Sequence, residues 1–367
     1  MWKISNTYNF NELINEFDWL SDMKGVPQDP IYHAEGDVYI HTQMVVEALQ
    51  EMQEFKDLPE NEQHLILAAA LMHDIEKRST TIIENGRISS PSHAKKGEKT
   101  VRTFFYKQGN TPFNIREYIA KLVRLHGLPI WAIEKPNFEK VLLQASLVVN
   151  TYHLYILAKA DILGRKCNDH REMLDRIEFF ATLCQELECW KQPFPFKSKE
   201  SKFTYFIQDS GSRLYEPFTG NNFEVILMSA LPGSGKDTYI NKNLGHLPII
   251  SLDEIRRAHK IKPTDKSGNG KVIQMAKEKA RELLRSKTPF VWNATNITKQ
   301  LRTQLIALFA DYGAQVKIIY VETSYKELLK RNKTRKHPLP LSVLEKMISK
   351  LEPPTADECA DLEIIQE

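Results

Sequence analysis

Residues 224–240 constrain the fold of this chain more than any other segment. They read EVILMSALPGSGKDTYI: an apolar run, a glycine-rich turn, and then Lys236 followed by an acid and a threonine. The apolar run predicts a buried strand, and the residues after the turn predict a helix. Backbone N–H groups of such a turn can surround a polyphosphate, and the lysine can reach its terminal phosphates. We therefore predict a nucleoside triphosphate site here.

The motif departs from the usual G-x-x-x-x-G-K-[ST] pattern at two positions. Ala230 replaces the first glycine, and Asp237 occupies the Ser/Thr position, with Thr238 one place later. This acid leaves open which group would hold a magnesium ion. The candidate nucleotide-binding residues are consecutive: Pro232, Gly233, Ser234, Gly235, Lys236, Asp237 and Thr238.

A second group of chemically active residues lies far upstream. Residues 65–77 read LILAAALMHDIEK, an apolar helical stretch that carries His73 and Asp74, and polar groups placed in such a core need partners. Further imidazoles and carboxylates stand at helical positions before and after this pair. Such donors around one apolar core suit divalent metal ions. The predicted metal ligands are His41, His73, Asp74, His93, His126 and Asp161.

The hydrophobic pattern changes along the chain. Apolar residues recur three and four positions apart from about residue 10 to residue 190, which predicts helices almost throughout. After residue 222, apolar runs that predict strands alternate with helical segments, as in a parallel sheet covered on both sides. We therefore predict a multidomain protein with an all-α helical bundle over 1–190, a linker over 191–221 that could include a hairpin, and an α/β domain with a parallel sheet over 222–367. The tail PPTADECADLEII could form a short edge strand near the nucleotide base.

Length and composition agree with two domains. A chain of 367 residues is longer than one hydrophobic core usually serves. No apolar run approaches the roughly 20 residues that span a membrane, and MWKISNTYNFNELINEF lacks the features of a signal peptide. The four cysteines lack paired metal spacing and are too few for a disulfide scaffold. We therefore expect a cytoplasmic protein with no membrane partner.

The net charge of +3 conceals an asymmetry between the two halves. Residues 1–221 carry 26 basic and 30 acidic groups, whereas residues 222–367 carry 24 and 17. The excess is concentrated in residues 256–287, which hold eleven Lys or Arg residues against three acids. Such a field favours a polyanion beyond the triphosphate itself. A solvated helix face is the alternative explanation for this segment.

The pattern H…HD…D, formed by His41, His73, Asp74 and Asp161, resembles the HD phosphohydrolase superfamily. More narrowly, PQDPIYHAEGDVYIHTQMV, LMHDIEK, PSHAKKGEKTV, VRLHG and ADILGRK are similar to the HD module of bacterial tRNA nucleotidyltransferases, over residues 25–190. That resemblance implies a phosphoesterase that opens 2′,3′-cyclic phosphates and removes 2′- or 3′-phosphates from RNA ends. It also implies one divalent ion, a transition metal or Mg²⁺, on the four residues, and His93 and His126 supply what a second ion would need.

Four further residues of this module are candidates for binding the phosphate: His33, Asp37, Lys77 and Arg165. Asp37 lies one turn before His41 and could ligate a metal, orient a ligand or only cap the helix. His33 could contact the phosphate, ligate a metal or be an ordinary loop histidine. Lys77 and Arg165 could equally be surface charges.

Three motifs of the second half resemble the 5′-hydroxyl polynucleotide kinases of phage and bacterial repair. SLDEIRR contains the pair Asp253 and Arg256, FVWNATNIT contains Asn293 and Asn296, and RNKTR contains Arg331 and Arg335. The order of an HD module and then a kinase resembles the bacterial bifunctional HD-polynucleotide kinase end-healing enzymes, over nearly the whole chain.

The resemblance implies roles for these residues in phosphoryl transfer. Asp253 would accept the proton of the attacking hydroxyl, while Lys236, Arg331 and Arg335 would act on the transferring phosphate. Polynucleotide contacts would come from Arg256, Asn293 and Asn296. The phosphate donor would be ATP or another NTP, with Mg²⁺ or Mn²⁺ in the kinase site.

The expected function is therefore the healing of broken or tRNA-like RNA ends. DNA is a further candidate substrate, and a separate RNA ligase would act downstream. One alternative is an ATP-sensing regulatory protein whose HD domain hydrolyses a signalling nucleotide. Another is a small-molecule kinase fused to an HD phosphatase. Asp253 and the two arginines argue against a sensor, which needs no general base, and the basic stretch favours a polynucleotide substrate.

Overall fold

The computed structural model describes residues 1–208, 210–218, 223–335 and 338–366. The chain divides into two compact units, Met1–Pro195 and Phe196–Glu367. The first unit is built of helices and one small hairpin, and the second contains a five-stranded parallel sheet with helices. The predicted fold class is therefore confirmed.

The first unit consists mainly of helices joined by short turns. Its helices are α1 (Phe10–Glu16), α2 (Val38–Glu51), α3 (Gln53–Lys56), α4 (Glu60–Met72), α5 (Lys77–Thr80), α6 (His93–Gln108), α7 (Phe113–Leu125), α8 (Leu128–Trp131), α9 (Phe138–Ser146), α10 (Thr151–Leu163) and α11 (His170–Glu186). Short 3₁₀ turns cover Asp18–Met23 and Ala132–Glu134. The second half of α4 and nearly all of α10 are buried, so these two helices form the centre of the unit.

Gly164 brings the end of α10 against α2. A Cβ atom at this position would lie 2.6 Å from the backbone nitrogen of Val45, so no larger residue fits without moving a backbone. This close approach places the last turn of α10 beside the first turns of α2. As a consequence, Asp161 and His41 face each other across the helix contact.

A small antiparallel hairpin interrupts the helices of the first unit. It consists of β1 (Ile82–Glu84) and β2 (Arg87–Ser89), where the sequence pattern predicts only a break at Asn85-Gly86. Both turn residues have positive φ, 53° for Asn85 and 76° for Gly86, as Asn-Gly turns of two-residue hairpins require. The strands are too short and too exposed to give the alternation by which strands are recognised in a sequence.

The second unit is organised around a parallel sheet with the order β4-β5-β3-β6-β7. Its strands are β3 (Phe223–Ala230), β4 (Ile249–Ser251), β5 (Phe290–Asn293), β6 (Ala314–Glu322) and β7 (Asp361–Gln366). Its helices are α12 (Lys199–Ile207), α13 (Lys236–Asn243), α14 (Leu252–Ala258), α15 (Lys266–Arg285), α16 (Lys299–Ala310), α17 (Tyr325–Thr334) and α18 (Leu341–Ile348). Apolar residues pack on both faces of the sheet. Because all strands are parallel, the ends of β3, β4 and β5 lie at one edge.

Residues 191–221 differ from the predicted linker with a hairpin. Lys199–Ile207 form α12, and Phe203 of this helix is buried in the core of the second unit. The described residues between 191 and 218 contain no strand. The sequence pattern does not predict this helix because prolines and lysines flank its short apolar segment. Residues 209 and 219–221 of the predicted linker lie outside the described residues.

The tail of the second unit returns to the sheet as β7, which pairs in parallel with β6 along six residues and forms an edge. The predicted edge strand is therefore confirmed. Arg302 on α16 is fully buried and binds the segment that precedes this strand. Its Nε and Nη2 donate to the two carboxylate oxygens of Glu358 at 2.7 and 2.9 Å, and its Nη1 donates to the carbonyl of Glu352 at 2.7 Å.

Loss of this arginine should be costly because it leaves the Glu358 carboxylate buried without its partner. We expect Arg302→Ala to lower the free energy of unfolding of the second unit by about 3–5 kcal/mol, measured by urea denaturation and circular dichroism. The control is Arg281→Ala, which removes a surface contact of 2.7 Å with Glu278. Such surface pairs contribute about 0–1 kcal/mol. If the two substitutions lower the free energy of unfolding equally, the buried pair contributes no more to stability than the surface pair does.

Within the described part of the chain, no single helix has the length and apolar character needed to cross a membrane. Helices α9 and α10, which meet at a bend of 107°, reach that length and composition only as a pair. The four cysteines are free thiols.

Candidate metal centre and phosphate-binding loop

Four histidines and two aspartates meet in the middle of the first unit, and most of them stand where a helix begins or ends. His41 lies in the first turn of α2, His73 and His126 directly follow α4 and α7, and His93 opens α6. Asp74 follows His73, and Asp161 lies on α10. The structure therefore brings together all six residues that the sequence predicts as metal ligands.

One group of donor atoms surrounds the Nε2 atom of His41. The Nε2 of His73 lies 3.3 Å away, Asp161 Oδ1 lies 3.1 Å away, and Asp74 Oδ2 lies 3.6 Å away. Two ligand atoms about 2.1 Å from one ion are about 3.0–3.4 Å apart in octahedral or tetrahedral coordination. The His41, His73 and Asp161 atoms thus have the spacing of ligands to a single cation, and Asp74 Oδ2 lies beside them, 3.3 Å from His73 Nε2.

A second group of donors adjoins the first and shares Asp74 with it. The Nε2 atoms of His93 and His126 lie 3.4 Å apart, and His93 Nε2 lies 3.3 Å from Asp74 Oδ1. Asp74 therefore directs one carboxylate oxygen to each group. Its Oδ1 is buried and accepts no hydrogen bond from any described residue. Such an oxygen is suited to a cation.

The histidine protons explain why these nitrogens need a cation between them. The Nδ1 atoms of His73, His93 and His126 each lie 2.7–2.8 Å from the carbonyl oxygen three residues earlier in the chain. A carbonyl only accepts hydrogen bonds, so each Nδ1 carries a proton, and the Nε2 of a neutral ring is available to bind a cation. Two such lone pairs that face each other cannot bond. Asp74 and Asp161 raise the pKa of His73 despite its burial, and a cation would take the place of that second ring proton. The donor set therefore fits a divalent cation in each group.

The electrostatics of the cluster also favour bound cations. Burial alone would raise the pKa of both aspartates, but Lys77 and His73 hold the pKa of Asp74 well below its ordinary value, and Arg165 and His41 do so for Asp161. Burial and the neighbouring histidines lower the pKa of His126 to about 3. The result is two carboxylates and a neutral imidazole, which are the protonation states of metal ligands.

Three of the predicted phosphate-binding residues instead contact the cluster or its helix. Lys77 donates to Asp74 Oδ2 at 2.7 Å and to Gln28 Oε1 at 2.7 Å, and it is buried. Arg165 pairs with both oxygens of Asp161 at 2.9 and 2.7 Å. Asp37 caps α2 by accepting from Ile40 N at 2.9 Å, so the helix-cap alternative describes it. Lys77 and Arg165 are therefore not solvated surface charges.

His33 lines a cavity of about 190 Å³ beside the cluster. The cavity wall also includes Tyr32, Lys77, His93 and residues of β2. Burial lowers the pKa of His33 to about 4, although its contact with Glu35 opposes this shift. A phosphate in this cavity would lie beside His93 of the second group and beside Lys77, which contacts Asp74.

The phosphate-binding loop connects β3 to α13 as the sequence predicts. Gly233 and Gly235 have φ of 90° and 100°, a conformation that glycine adopts without strain. Gly235 is the N-cap of α13, so the backbone N–H groups of the helix start face the loop. Pro232 and Thr238 flank this turn, and Thr238 is exposed.

Lys236, Asp237 and Asn293 contact one another at the start of α13. The Nζ of Lys236 donates to Asp237 Oδ1 at 2.7 Å and to the side-chain oxygen of Asn293. The amide of Asn293 donates to the same Asp237 oxygen at 3.0 Å. Burial alone would raise the pKa of Asp237, but Lys236 lowers it. Asn293, predicted as a polynucleotide contact, thus lies at the end of β5 against the first residues of α13.

Arg331 reaches the same loop from α17. Its Nη1 donates to the carbonyl oxygen of Ser234 at 3.1 Å, and the hydroxyl of Thr323 donates to that oxygen at 2.8 Å. Arg335 is exposed just beyond the end of α17. Asn332, which the sequence did not single out, exchanges hydrogen bonds with the backbone of Leu339 at 2.9 and 3.0 Å and so links the end of α17 to this later residue.

Asp253 and Arg256 form an ion pair at the start of α14. The side chain of Asp253 is 70% exposed, and Arg256 also contacts Asn269 at 2.9 Å. Asn296, in contrast, is buried and donates to the carbonyl of Met228 at 2.7 Å. Its amide therefore connects the segment after β5 to β3. This buried position does not support the predicted contact of Asn296 with a polynucleotide.

Comparison with known families follows the division into two units. The family model of the HD domain matches residues 38–163, and the family model of the AAA domain matches residues 225–354. The chain therefore carries a region similar to HD domains and, after it, a region similar to AAA domains. Among solved structures, a candidate kinase from Chloroflexus aurantiacus J-10-fl is 16% identical over 40% of this chain and 88% of that chain, with a TM-score of 0.35.

Proposed function

We propose that this protein heals broken RNA ends with two active sites. The HD domain hydrolyses 2′,3′-cyclic phosphate, 2′-phosphate and 3′-phosphate ends, and the P-loop domain transfers the γ-phosphate of ATP or another NTP to a 5′-hydroxyl. The observation that carries the phosphoesterase part is the position of Asp74, with one oxygen in each group of metal ligands. A phosphoester bound to two ions can have both its attacking and its leaving oxygen stabilised.

The residues of the HD domain would hold one cation on His41, His73, Asp74 and Asp161 and a second on Asp74, His93 and His126. Bound divalent ions supply a water of lowered pKa and a positive charge for the phosphate oxygens. The mixture of imidazoles and carboxylates suits transition metals as well as Mg²⁺ or Mn²⁺. Lys77 and Arg165 keep the two carboxylates ionised, and His33 stands at the cavity wall where the phosphate would lie.

The carboxylate proposed as the base and the cations proposed to act on the phosphate belong to segments that follow β3, β4 and β6. Asp253 follows β4, and β4 is separated from the P-loop strand β3 only by β5. Its exposed carboxylate is available to accept the proton of a 5′-hydroxyl. Lys236 begins the helix after the phosphate-binding loop, and Arg331 donates to the carbonyl of Ser234 in that loop. Arg335 follows at the end of α17, four residues after Arg331. Charge neutralisation by such groups supplies much of the catalysis in phosphoryl transfer.

The substrate class is proposed from charge. Residues 256–287 carry eleven basic groups against three acidic ones, and this segment begins at Arg256 and includes α15. A polynucleotide matches that field better than a small metabolite does. RNA is the proposed substrate, with DNA as a second one, and a separate ligase would join the healed ends.

One experiment tests both activities at once. The protein is incubated with ATP, a divalent metal and an RNA that carries a 5′-hydroxyl and a 2′,3′-cyclic phosphate, and both ends are then analysed. The proposal expects a 5′-phosphate and free 2′- and 3′-hydroxyls. An ATP-sensing protein would leave the 5′ end unchanged. A small-molecule kinase would do so as well, although it would still consume ATP with its own acceptor.

Asp237 should act as the anionic metal ligand that replaces the usual hydroxyl. Its Oδ1 contacts Lys236 and Asn293, and the side chain is 73% exposed. We expect Asp237→Asn to raise the Mg²⁺ concentration for half-maximal kinase activity by about tenfold or more, since even outer-shell metal partners are worth about 10–100-fold in metal affinity. Asp237→Ser should retain activity because it restores the usual hydroxyl.

The matched control for this prediction is Thr238→Ala, which removes the neighbouring hydroxyl. Titrations of kinase activity with Mg²⁺ and with Mn²⁺ compare the three variants. If Thr238→Ala raises the metal requirement and Asp237→Asn does not, the threonine is the ligand and the role given to Asp237 is wrong.

A further inference from the structure

Glu35 lies between two histidines of the HD domain and was not singled out by the sequence. Its side chain is fully buried. The Oε1 atom lies 2.8 Å from Nδ1 of His33 and 3.0 Å from Nδ1 of His41. The Oε2 atom accepts from the backbone nitrogen of Lys166 at 2.9 Å. One carboxylate therefore contacts a cavity histidine, a candidate metal ligand and the segment after α10.

The carboxylate determines which ring nitrogens carry protons. Its Oε1 lies within 3.0 Å of two ring nitrogens and its Oε2 accepts a backbone N–H, and a carboxylate oxygen in such contacts is an acceptor. Both Nδ1 atoms facing it must then be protonated. The Nε2 atoms of His33 and His41 are left with lone pairs.

His41 differs in this respect from the other three histidines of the cluster. The Nδ1 atoms of His73, His93 and His126 donate to carbonyl oxygens three residues earlier in the chain. Nδ1 of His41 instead makes no hydrogen bond to a described residue and lies 3.0 Å from the Glu35 carboxylate as an ion-pair contact. Glu35 is the acceptor nearest to it. A carboxylate behind a metal-binding imidazole fixes the ring orientation and raises the basicity of the ligand atom.

The backbone around Glu35 is tied to the helix that supplies Asp161. Ala34 N donates to the carbonyl of Lys166 at 2.9 Å, and Lys166 N donates to Glu35 in return. Lys166 directly follows Arg165, which pairs with Asp161. The loop that holds Glu35 is thus fastened to the same chain segment that positions a second ligand of the first cation.

We propose that Glu35 is a positioning residue that holds His41 as an Nε2 metal ligand and fixes His33 at the wall of the substrate cavity. This inference rests on the proposed metal-dependent function of the HD domain. It connects the two components of that site, because the group that orients the ligand also orients the histidine nearest to the incoming phosphate.

The test is Glu35→Gln, which keeps the size of the side chain and removes its charge. Metal content after dialysis, the affinity for Co²⁺ and the visible spectrum of the Co²⁺-loaded protein are measured beside phosphoesterase turnover. We expect a 10–100-fold lower Co²⁺ affinity, as for other outer-shell partners, together with an altered Co²⁺ spectrum and unchanged kinase activity. Glu35→Asp keeps the charge and should restore part of the affinity.

Two controls isolate the effect on His41. Glu62→Gln removes a carboxylate that lies 2.8 Å from Nε2 of His153, a pair outside the metal cluster, and should leave metal binding unchanged. His33→Ala removes the other histidine partner of Glu35 and should keep the Co²⁺ affinity while lowering turnover. Equal Co²⁺ losses in Glu35→Gln and His33→Ala would contradict positioning through His41.

The outcomes separate this inference from the proposed function. If the unaltered protein binds no divalent metal, the metal-dependent function itself fails. If it binds metal and Glu35→Gln has the same affinity and the same Co²⁺ spectrum, only the role of Glu35 is wrong. Loss of one complete equivalent of metal in Glu35→Gln, with the remainder bound as before, would make Glu35 a direct ligand and would also overturn the positioning role.

Discussion

Replacement of Lys236 by alanine is expected to lower 5′ phosphorylation by about 10²–10³-fold, the size of effect seen when one preorganised charge-stabilising donor is removed. Asp253→Asn should lower it by about 10²–10⁴-fold through loss of the base. Both variants should remove 2′,3′-cyclic phosphate at nearly the rate of the unaltered protein. The reason is that the two sets of residues lie in separate compact units, each with its own core.

The measurement uses one RNA with a 5′-hydroxyl and a 2′,3′-cyclic phosphate and reports both ends. Lys242→Ala is the matched control, since this exposed lysine lies on the same helix as Lys236 but away from the loop. It should change neither activity. Loss of both activities in a folded Lys236→Ala protein would contradict the model of two separate sites.

Replacement of His93 or His126 by alanine is expected to remove one equivalent of metal and most of the phosphoesterase turnover. Each contributes an Nε2 atom to the second group of donors, and the first group contains neither residue. The loss of turnover should be larger than the about 10–100-fold loss that follows removal of an outer-shell partner. Kinase activity should persist, and the metal content is measured by elemental analysis after dialysis.

The control for this prediction is His170→Ala. His170 opens α11 as His93 opens α6, and it lies outside the metal cluster. It should keep its full metal content and turnover. If both cluster variants keep the metal content and turnover of the unaltered protein, a mononuclear site on His41, His73, Asp74 and Asp161 explains the activity instead.

The parts of the site that were predictable are those marked by local patterns. A glycine-rich turn after an apolar run identifies the phosphate-binding loop without any knowledge of distant contacts. The histidines were conspicuous because imidazoles are uncommon in apolar helical stretches. The resemblance to the HD module already separated His93 and His126 from the other four ligands. The sharing of Asp74 by both groups depends on how the helices pack, which no local pattern encodes.

Residues that act through long-range contacts were missed or misassigned. Glu35 lies in a loop, and only the fold shows that its carboxylate meets His41 and the backbone of Lys166, a residue 131 positions away in the chain. Asn296 follows β5 at the edge of the sheet where the phosphate-binding loop lies, and asparagines at such an edge often bind ligands. Its amide nevertheless donates to the backbone carbonyl of Met228. The same side-chain chemistry serves binding or architecture, and burial decides between them.

The position of β7 in the chain has a consequence for synthesis on the ribosome. This strand covers an edge of β6, whose residues Ile318 to Val321 are buried, and Glu358 just before it neutralises Arg302, which lies 56 residues earlier. The second unit therefore cannot complete its sheet or satisfy its buried arginine until its last strand has been translated. The first unit is compact within residues 1–195, which are translated first, and it can fold earlier. During that interval the nascent second unit exposes an apolar strand edge, which is when it is most prone to aggregate.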